Sequence, residues 1–162
     1  MSTRCRIGIE QPDGKIKSIY CHHDGYYEGV GTVLQKYYDT PEKINELMEL
    51  GDISCLGKKY DQEMSTLDWH RYDKDLTAEQ RKKVEENIKG FNYTIAYKDR
   101  GDESPARIDN NEEEWIGLLG KCWEEFAYLY KKDYDGKYKW YATEVPLLIP
   151  LEWKLSLDKQ EG

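Results

Sequence analysis

The sequence predicts an α+β domain: a mainly antiparallel sheet, made of two hairpins plus a central strand, with three to four helices packed on one face. Three observations predict it. Asp13-Gly14 and Asp135-Gly136 each lie between strand-like segments, and Asp-Gly supplies the positive φ that tight hairpin turns need. Thr40-Pro41, Thr77 with Gln80, and Asn111 with Glu114 are helix-start patterns, in which a side-chain oxygen takes an orphan backbone N–H of the first turn. Between these lies Phe91–Tyr97, which alternates apolar with small or polar residues at period two, as a half-buried strand does.

In chain order, Arg4–Glu10 and Ile16–Tyr20 form the first hairpin. After the loop Cys21–Glu28, the stretch Gly29–Tyr38 places Val30, Val33, Leu34 and Tyr37 at helical spacing. Thr40-Pro41 opens a second helix, carried by Ile44, Leu47, Met48 and Leu50 and closed by Gly51. Residues 52–76 are polar and turn-rich and predict a long surface loop around Trp69 and His70. The helix from Thr77 to Gly90 has only Val84 and Ile88 as apolar contacts and is expected to be largely solvated. Asp99–Glu114 reads as polar loop up to Asn111. The apolar spacing from Trp115 through Leu119, Cys122, Trp123 and Phe126 then predicts the most strongly buried helix. Tyr128–Lys131 and Lys137–Ala142 form the second hairpin. Residues 143–162 form an extended tail, interrupted by Pro146 and Pro150 and docked through Leu147, Ile149, Leu151 and Trp153. No repeat divides the chain, so residues 1–162 are expected to be a single domain.

Composition narrows the function classes. The 24 Lys and Arg against 32 Asp and Glu leave a net charge of −8, which argues against a broad basic face gripping nucleic-acid phosphates. The longest apolar run, Val145 to Leu151, is broken by two prolines and is far short of the ~20 residues of a membrane span. Aromatic residues at 13% argue against disorder, because disordered chains are poor in them. Residues 1–6 lack the apolar core of a signal peptide, so a cytoplasmic location is expected. Cys5, Cys21, Cys55 and Cys122 form no C-x-x-C pair and are read as reduced, mostly buried thiols. No metal, cofactor or catalytic residue is expected.

The charge is unevenly placed. Segments 1–38, 39–90, 91–127 and 128–162 carry net charges of +1, −4, −5 and 0. The densest acidic stretch holds Asp99, Asp102, Glu103, Asp109, Glu112, Glu113 and Glu114. It reads either as a solvated face with carboxylates at a helix N-terminus or as a surface offering negative charge to a basic protein.

Reactive side chains concentrate elsewhere, in Tyr20-Cys21-His22-His23-Asp24-Gly25-Tyr26-Tyr27. Adjacent residues on an extended chain face opposite ways, so His22, His23 and Asp24 cannot all reach one ion. Cys21 with His22 lacks the third orienting group of a nucleophilic site. The remaining readings are a structural loop in which Tyr26 and Tyr27 pack, or a small-molecule site. In the second reading, Gly29 and Gly31 bring backbone N–H groups toward an anion such as a nucleotide, and Arg100 supplies a further cation.

These same residues carry a resemblance. Ile7-Gly8-Ile9-Glu10, Asp13-Gly14, Ile19-Tyr20-Cys21-His22, Asp24-Gly25-Tyr26, Gly29-Val30-Gly31 and Leu50-Gly51-Asp52-Ile53-Ser54 resemble a pattern in short proteins of bacterial phages and other mobile elements. A weaker echo follows at Ala96-Tyr97 and Asp99-Arg100-Gly101. His23 departs from that pattern, which places an aromatic residue, usually Trp, there. The resemblance implies an accessory protein acting in the host bacterial cell; small acidic proteins of such origin include anti-CRISPR and anti-restriction inhibitors. The sequence therefore leads to two expectations. The first is a non-enzymatic inhibitor that binds a host nucleic-acid-handling defence protein, without binding nucleic acid itself, through the acidic stretch and exposed tyrosines. The second is a nucleotide-signal binding or hydrolysing protein with its site at the His22–Gly31 loop. Self-association into a homo-oligomer stays open in both.

Overall fold

The computed structural model describes residues 2–90, 92–144 and 149–150, the last two by backbone alone. The N-terminal hairpin pairs β1 (Cys5–Glu10) with β2 (Ile16–Cys21), in a register running from Cys5 opposite Cys21 to Glu10 opposite Ile16. Gly14 turns it at φ +87°, a value open to glycine at no steric cost. The C-terminal hairpin pairs β6 (Phe126–Lys132) with β7 (Tyr138–Glu144), turned at Gly136 with φ +80°. Both Asp-Gly hairpins form where the sequence places them.

The sheet is mixed, which corrects the mainly antiparallel expectation. β1 runs parallel to β6, and β2 parallel to β3 (Ile53–Cys55). The strand order is β4-β3-β2-β1-β6-β7-β8, with β4 at Ile95–Ala96, β8 at Ile149–Pro150, and β5 (Arg107–Asp109) pairing with β2 off this path. The two hairpins thus lie side by side, and β1 is a central strand. Of the predicted strand Phe91–Tyr97 only β4 is regular; Phe91 lies outside the described residues. Ile149–Pro150 pairs with β7 as the expected edge strand, while Leu147, Leu151 and Trp153 lie outside the described residues.

The first helical segment begins with a π turn, Tyr27–Gly31, and continues as α1 (Thr32–Tyr37). Thr40 caps α2 (Pro41–Glu49), accepting the Lys43 N–H at 3.3 Å. The polar segment 52–76 is not one long loop: it contains β3 and α3 (Gln62–Trp69), whose N-cap Asp61 accepts the Met64 N–H at 3.0 Å. In α4 (Ala78–Gly90) the Thr77–Gln80 capping box closes in both directions, at 2.9 and 3.1 Å. α4 is largely solvated, with Val84 and Asn87 buried and Ile88 exposed rather than packed. α5 (Glu112–Gly117) is far shorter than the helix read to Phe126: it stops at Gly117, the chain then turns left-handed at Gly120 (φ +92°), and Phe126 already belongs to β6.

Successive strand residues point to opposite faces, so the sheet has two cores. On one face Ile7, Ile19 and Tyr128 pack with Leu34, Ile44 and Met48 of α1 and α2. On the other, Ile16, Ala127 and Leu129 pack with Trp115 of α5 and with Leu119. Helices therefore cover both faces rather than one. All four cysteines are free; Cys5 and Cys21 are buried, Cys55 is half-buried and Cys122 is exposed. No helix among the described residues is long and apolar enough to cross a membrane.

Candidate functional site

The His22–Gly31 loop leaves the end of β2 and is drawn inward. His22 N–H donates to Ile53 O at 3.2 Å and His23 N–H to Ser54 O at 2.9 Å, extending the contact with β3. The two rings meet edge-on at 4.6 Å; Nδ1 of His22 lies 2.7 Å from Tyr20 OH, and Nδ1 of His23 lies 3.0 Å from Ser2 Oγ. Burial, with help from His23 and the Arg4 cation, lowers the His22 pKa from its ordinary value. Asp24 takes a left-handed conformation (φ +58°), and its carboxylate accepts a hydrogen bond from the exposed Tyr26 hydroxyl at 3.2 Å. Tyr27 is buried against Phe126 and Tyr128.

The glycines serve close packing. A Cβ at Gly29 would sit 2.3 Å from the Asp24 carbonyl oxygen, and one at Gly25 would sit 2.8 Å from Cys5 Cβ. The amides of this turn are already engaged: Gly29 N–H donates to Tyr26 O at 3.0 Å, Val30 N–H to Asp24 O at 2.9 Å, and Gly31 N–H to Tyr26 O at 3.5 Å. An anion cradle needs free amides, so the expected role of Gly29 and Gly31 gives way to a structural one. Arg100 is engaged elsewhere, with its guanidinium 4.6 Å from the Trp69 ring centre, 5.0 Å from that of Tyr97, and Nε bonded to Asp102 at 2.8 Å. Among the described residues no three His, Cys, Asp or Glu side chains gather as a metal set.

The acidic stretch is partly self-neutralised. Asp109 is only 7% exposed and pairs with Arg107 at 2.9 Å, so it presents nothing to a partner. Asp102 pairs with Arg100, Glu112 pairs with Lys131 at 2.6 Å, and Asp99 accepts the Tyr60 hydroxyl at 2.7 Å. Glu114 turns back to accept the Asn110 N–H at 3.1 Å. Glu103 and Glu113 are exposed, as is Glu114 beyond its contact with Asn110. Of the tyrosines, Tyr26, Tyr37, Tyr72 and Tyr134 are exposed, whereas Tyr38, Tyr128 and Tyr130 join the core.

The connection from α5 to β6 is what sequence reasoning missed. Trp123 there is 77% exposed and left-handed, at φ +65°. For a side chain with a Cβ that backbone costs about 1–2 kcal/mol, and a bulky residue in it is an outlier. Two braces hold it. On the N-terminal side its N–H donates to Gly120 O at 3.0 Å. On the C-terminal side the Glu124 side chain turns into the protein, accepting Cys122 N–H at 2.8 Å and Arg6 Nε at 2.8 Å. Arg6 also donates to Ser18 Oγ at 3.2 Å, so the guanidinium joins the loop to β1 and β2. Burial alone raises the Glu124 pKa, but the bonds from Arg6 and Cys122 outweigh it and hold the carboxyl below its ordinary value. Leu118 and Ile108 are also exposed, the latter on β5, which contacts α5. The signal available in the sequence was Gly120, a helix-stop residue that places Trp123 beyond the helix.

Comparison with protein-family models, with curated proteins and with solved structures finds no match.

Proposed function

We propose that this chain is a non-enzymatic, mobile-element-encoded inhibitor that binds a nucleic-acid-handling defence protein of the host, and that Trp123 is the anchor of its docking face. The observation that carries the reading is Trp123 itself: a large apolar ring held in solvent, in a strained backbone, by a buried ion pair. Strain of this kind persists only where surrounding structure over-determines it, and it concentrates at functional positions. Tryptophan is the residue most enriched at interface hot spots, where its truncation costs about 2 kcal/mol or more. Braced in advance, the backbone that carries the ring loses little freedom on docking.

Glu113 and Glu114 on the neighbouring helix supply exposed negative charge. Such charge steers association with a basic, nucleic-acid-binding face more than it adds affinity. Glu112 contributes less field because Lys131 neutralises it. The alternative of a nucleotide at the His22–Gly31 loop draws no support, since the amides it needs are engaged within the turn.

The test is binding to, and inhibition of, a purified CRISPR effector or restriction enzyme across a salt series. Trp123→Ala is expected to weaken binding about 30-fold, the equivalent of ~2 kcal/mol. Reversal of Glu113 and Glu114 to Lys is expected to slow association and flatten its salt dependence. Wild-type affinity and inhibition in Trp123→Ala would remove Trp123 as the anchor. An unchanged salt slope in the reversed variant would remove the charge-mimicry component.

A further inference from the structure

A groove of 1430 Å³ runs between α3 and α4 and is closed by Tyr37, the Lys58–Lys59 segment and Asn92–Tyr93. It exceeds the ~300–1,000 Å³ of ordinary small-ligand pockets. Met64 and Leu67 of α3 lie three residues apart and therefore on one helix face; with Leu76 they supply half-buried apolar surface to the groove. α4 gives the rest of the protein little, burying only Val84 and Asn87 along 13 residues.

The charge in the groove is predominantly negative. Five carboxylates line it, Asp61, Glu63, Asp73, Asp75 and Glu86, against Lys58, Lys59 and Lys83. The lysines are partly engaged already: Lys58 lies over the Tyr37 ring at 5.5 Å, Lys59 over the Tyr93 ring at 5.1 Å, and Lys83 approaches Glu79 at 3.9 Å. Asp61 and Asp73 each accept a local backbone N–H at 3.0 Å. Glu63, Asp75 and Glu86 form no ion pair with a described residue.

From this combination we infer that the groove is a second docking surface, whose occupant is a basic amphipathic helix of a protein partner. An anionic ligand such as a nucleotide would meet a net negative wall. Among the described residues no unpaired strand edge lines the groove, so strand addition has no template there, whereas two flanking helices and an apolar floor suit helix-in-groove recognition. About three turns of a helix ~10 Å across match its volume. The groove shares no residue with the Trp123 face and stands independently of it.

The probe is a fluorescein-labelled Lys/Leu amphipathic peptide of about four helical turns. Its Glu/Leu counterpart, with the same apolar face, and ATP serve as comparison ligands. Anisotropy titration is expected to show saturable binding of the Lys/Leu peptide alone. Leu67→Glu is expected to weaken it about tenfold or more, ~1.4 kcal/mol. The double reversal Glu63→Lys with Glu86→Lys, at two exposed positions and with the fold checked by circular dichroism, is expected to do the same, and Trp123→Ala to leave it unchanged. Equal binding of the Glu/Leu peptide, absence of saturable binding, full affinity in the double reversal, ATP binding that the groove variants abolish, or loss in Trp123→Ala would each overturn the inference.

Discussion

Two residues other than glycine adopt positive φ among the described residues, Asp24 at +58° and Trp123 at +65°, and their surroundings are opposite. Asp24 belongs to the residue types that tolerate this conformation, because a short polar side chain can bond locally. Its carbonyl receives Val30 N–H, its carboxylate receives Tyr26 OH, and Gly29 presses against it so closely that no Cβ would fit. Trp123 has none of that chemistry. Its side chain points to water, and apart from its own N–H bond to Gly120 O the stabilising contacts belong to its neighbour Glu124. A left-handed residue with its bonds turned inward is explained by the fold. One with its apolar surface turned outward keeps its conformation through bonds made by the backbone and by the adjacent side chain.

The largest way to break this contrast is at the brace. Glu124→Leu leaves the Arg6 guanidinium buried without a counter-charge and is expected to cost about 3–5 kcal/mol in urea unfolding; adding Arg6→Met recovers most of that loss. The same pair sets a pH dependence. Because the folded Glu124 carboxyl titrates below its ordinary 4.5, its stabilisation is complete above that pH and fades as pH falls through the lower folded value. Thermal melts of wild type and Glu124→Gln between pH 7 and pH 3 should therefore converge on acidification. On the inward side, Gly29→Ala forces a Cβ onto the Asp24 carbonyl and is expected to cost about 1–3 kcal/mol, read by the same unfolding curves. Trp123→Gly removes the left-handed penalty and is expected to stabilise the protein by about 1 kcal/mol while weakening partner binding about as much as Trp123→Ala does. Smallest is Asp24→Asn, expected within about 0.5 kcal/mol of wild type because asparagine accepts the same backbone and the same hydrogen bond.

Local rules made the hairpins, the Thr40 cap and the Thr77–Gln80 box legible in the sequence, since each depends on residues within a few positions. What escaped depends on distance. Nothing in Arg4–Glu10 announces that its other neighbour is Phe126–Tyr130, or that the pairing is parallel. α3 escaped because its buried residues are polar: Ser65 accepts Ala96 N–H at 3.0 Å and Asp68 is only 9% exposed, so no apolar stripe marks the helix. In the candidate sites, the acidic stretch was visible by composition, but the pairing of Asp109 with Arg107 and of Glu112 with Lys131 was not. Trp123 escaped because its spacing from Leu119 mimics a helix that has already ended at Gly117.

The parallel pairing of β1 with β6 also governs how the protein is made. The central strand leaves the ribosome more than 100 residues ahead of its partner, a delay of about 5–20 s at ordinary elongation rates. Two further closures wait as long, Tyr128 OH on Gly25 O across 103 residues and Trp140 Nε1 on Tyr38 O across 102. During that interval one side of β1 offers an unpaired backbone to any neighbouring chain. Folding should therefore be slow for the chain's size, late in translation, and sensitive to crowding of nascent copies on one message.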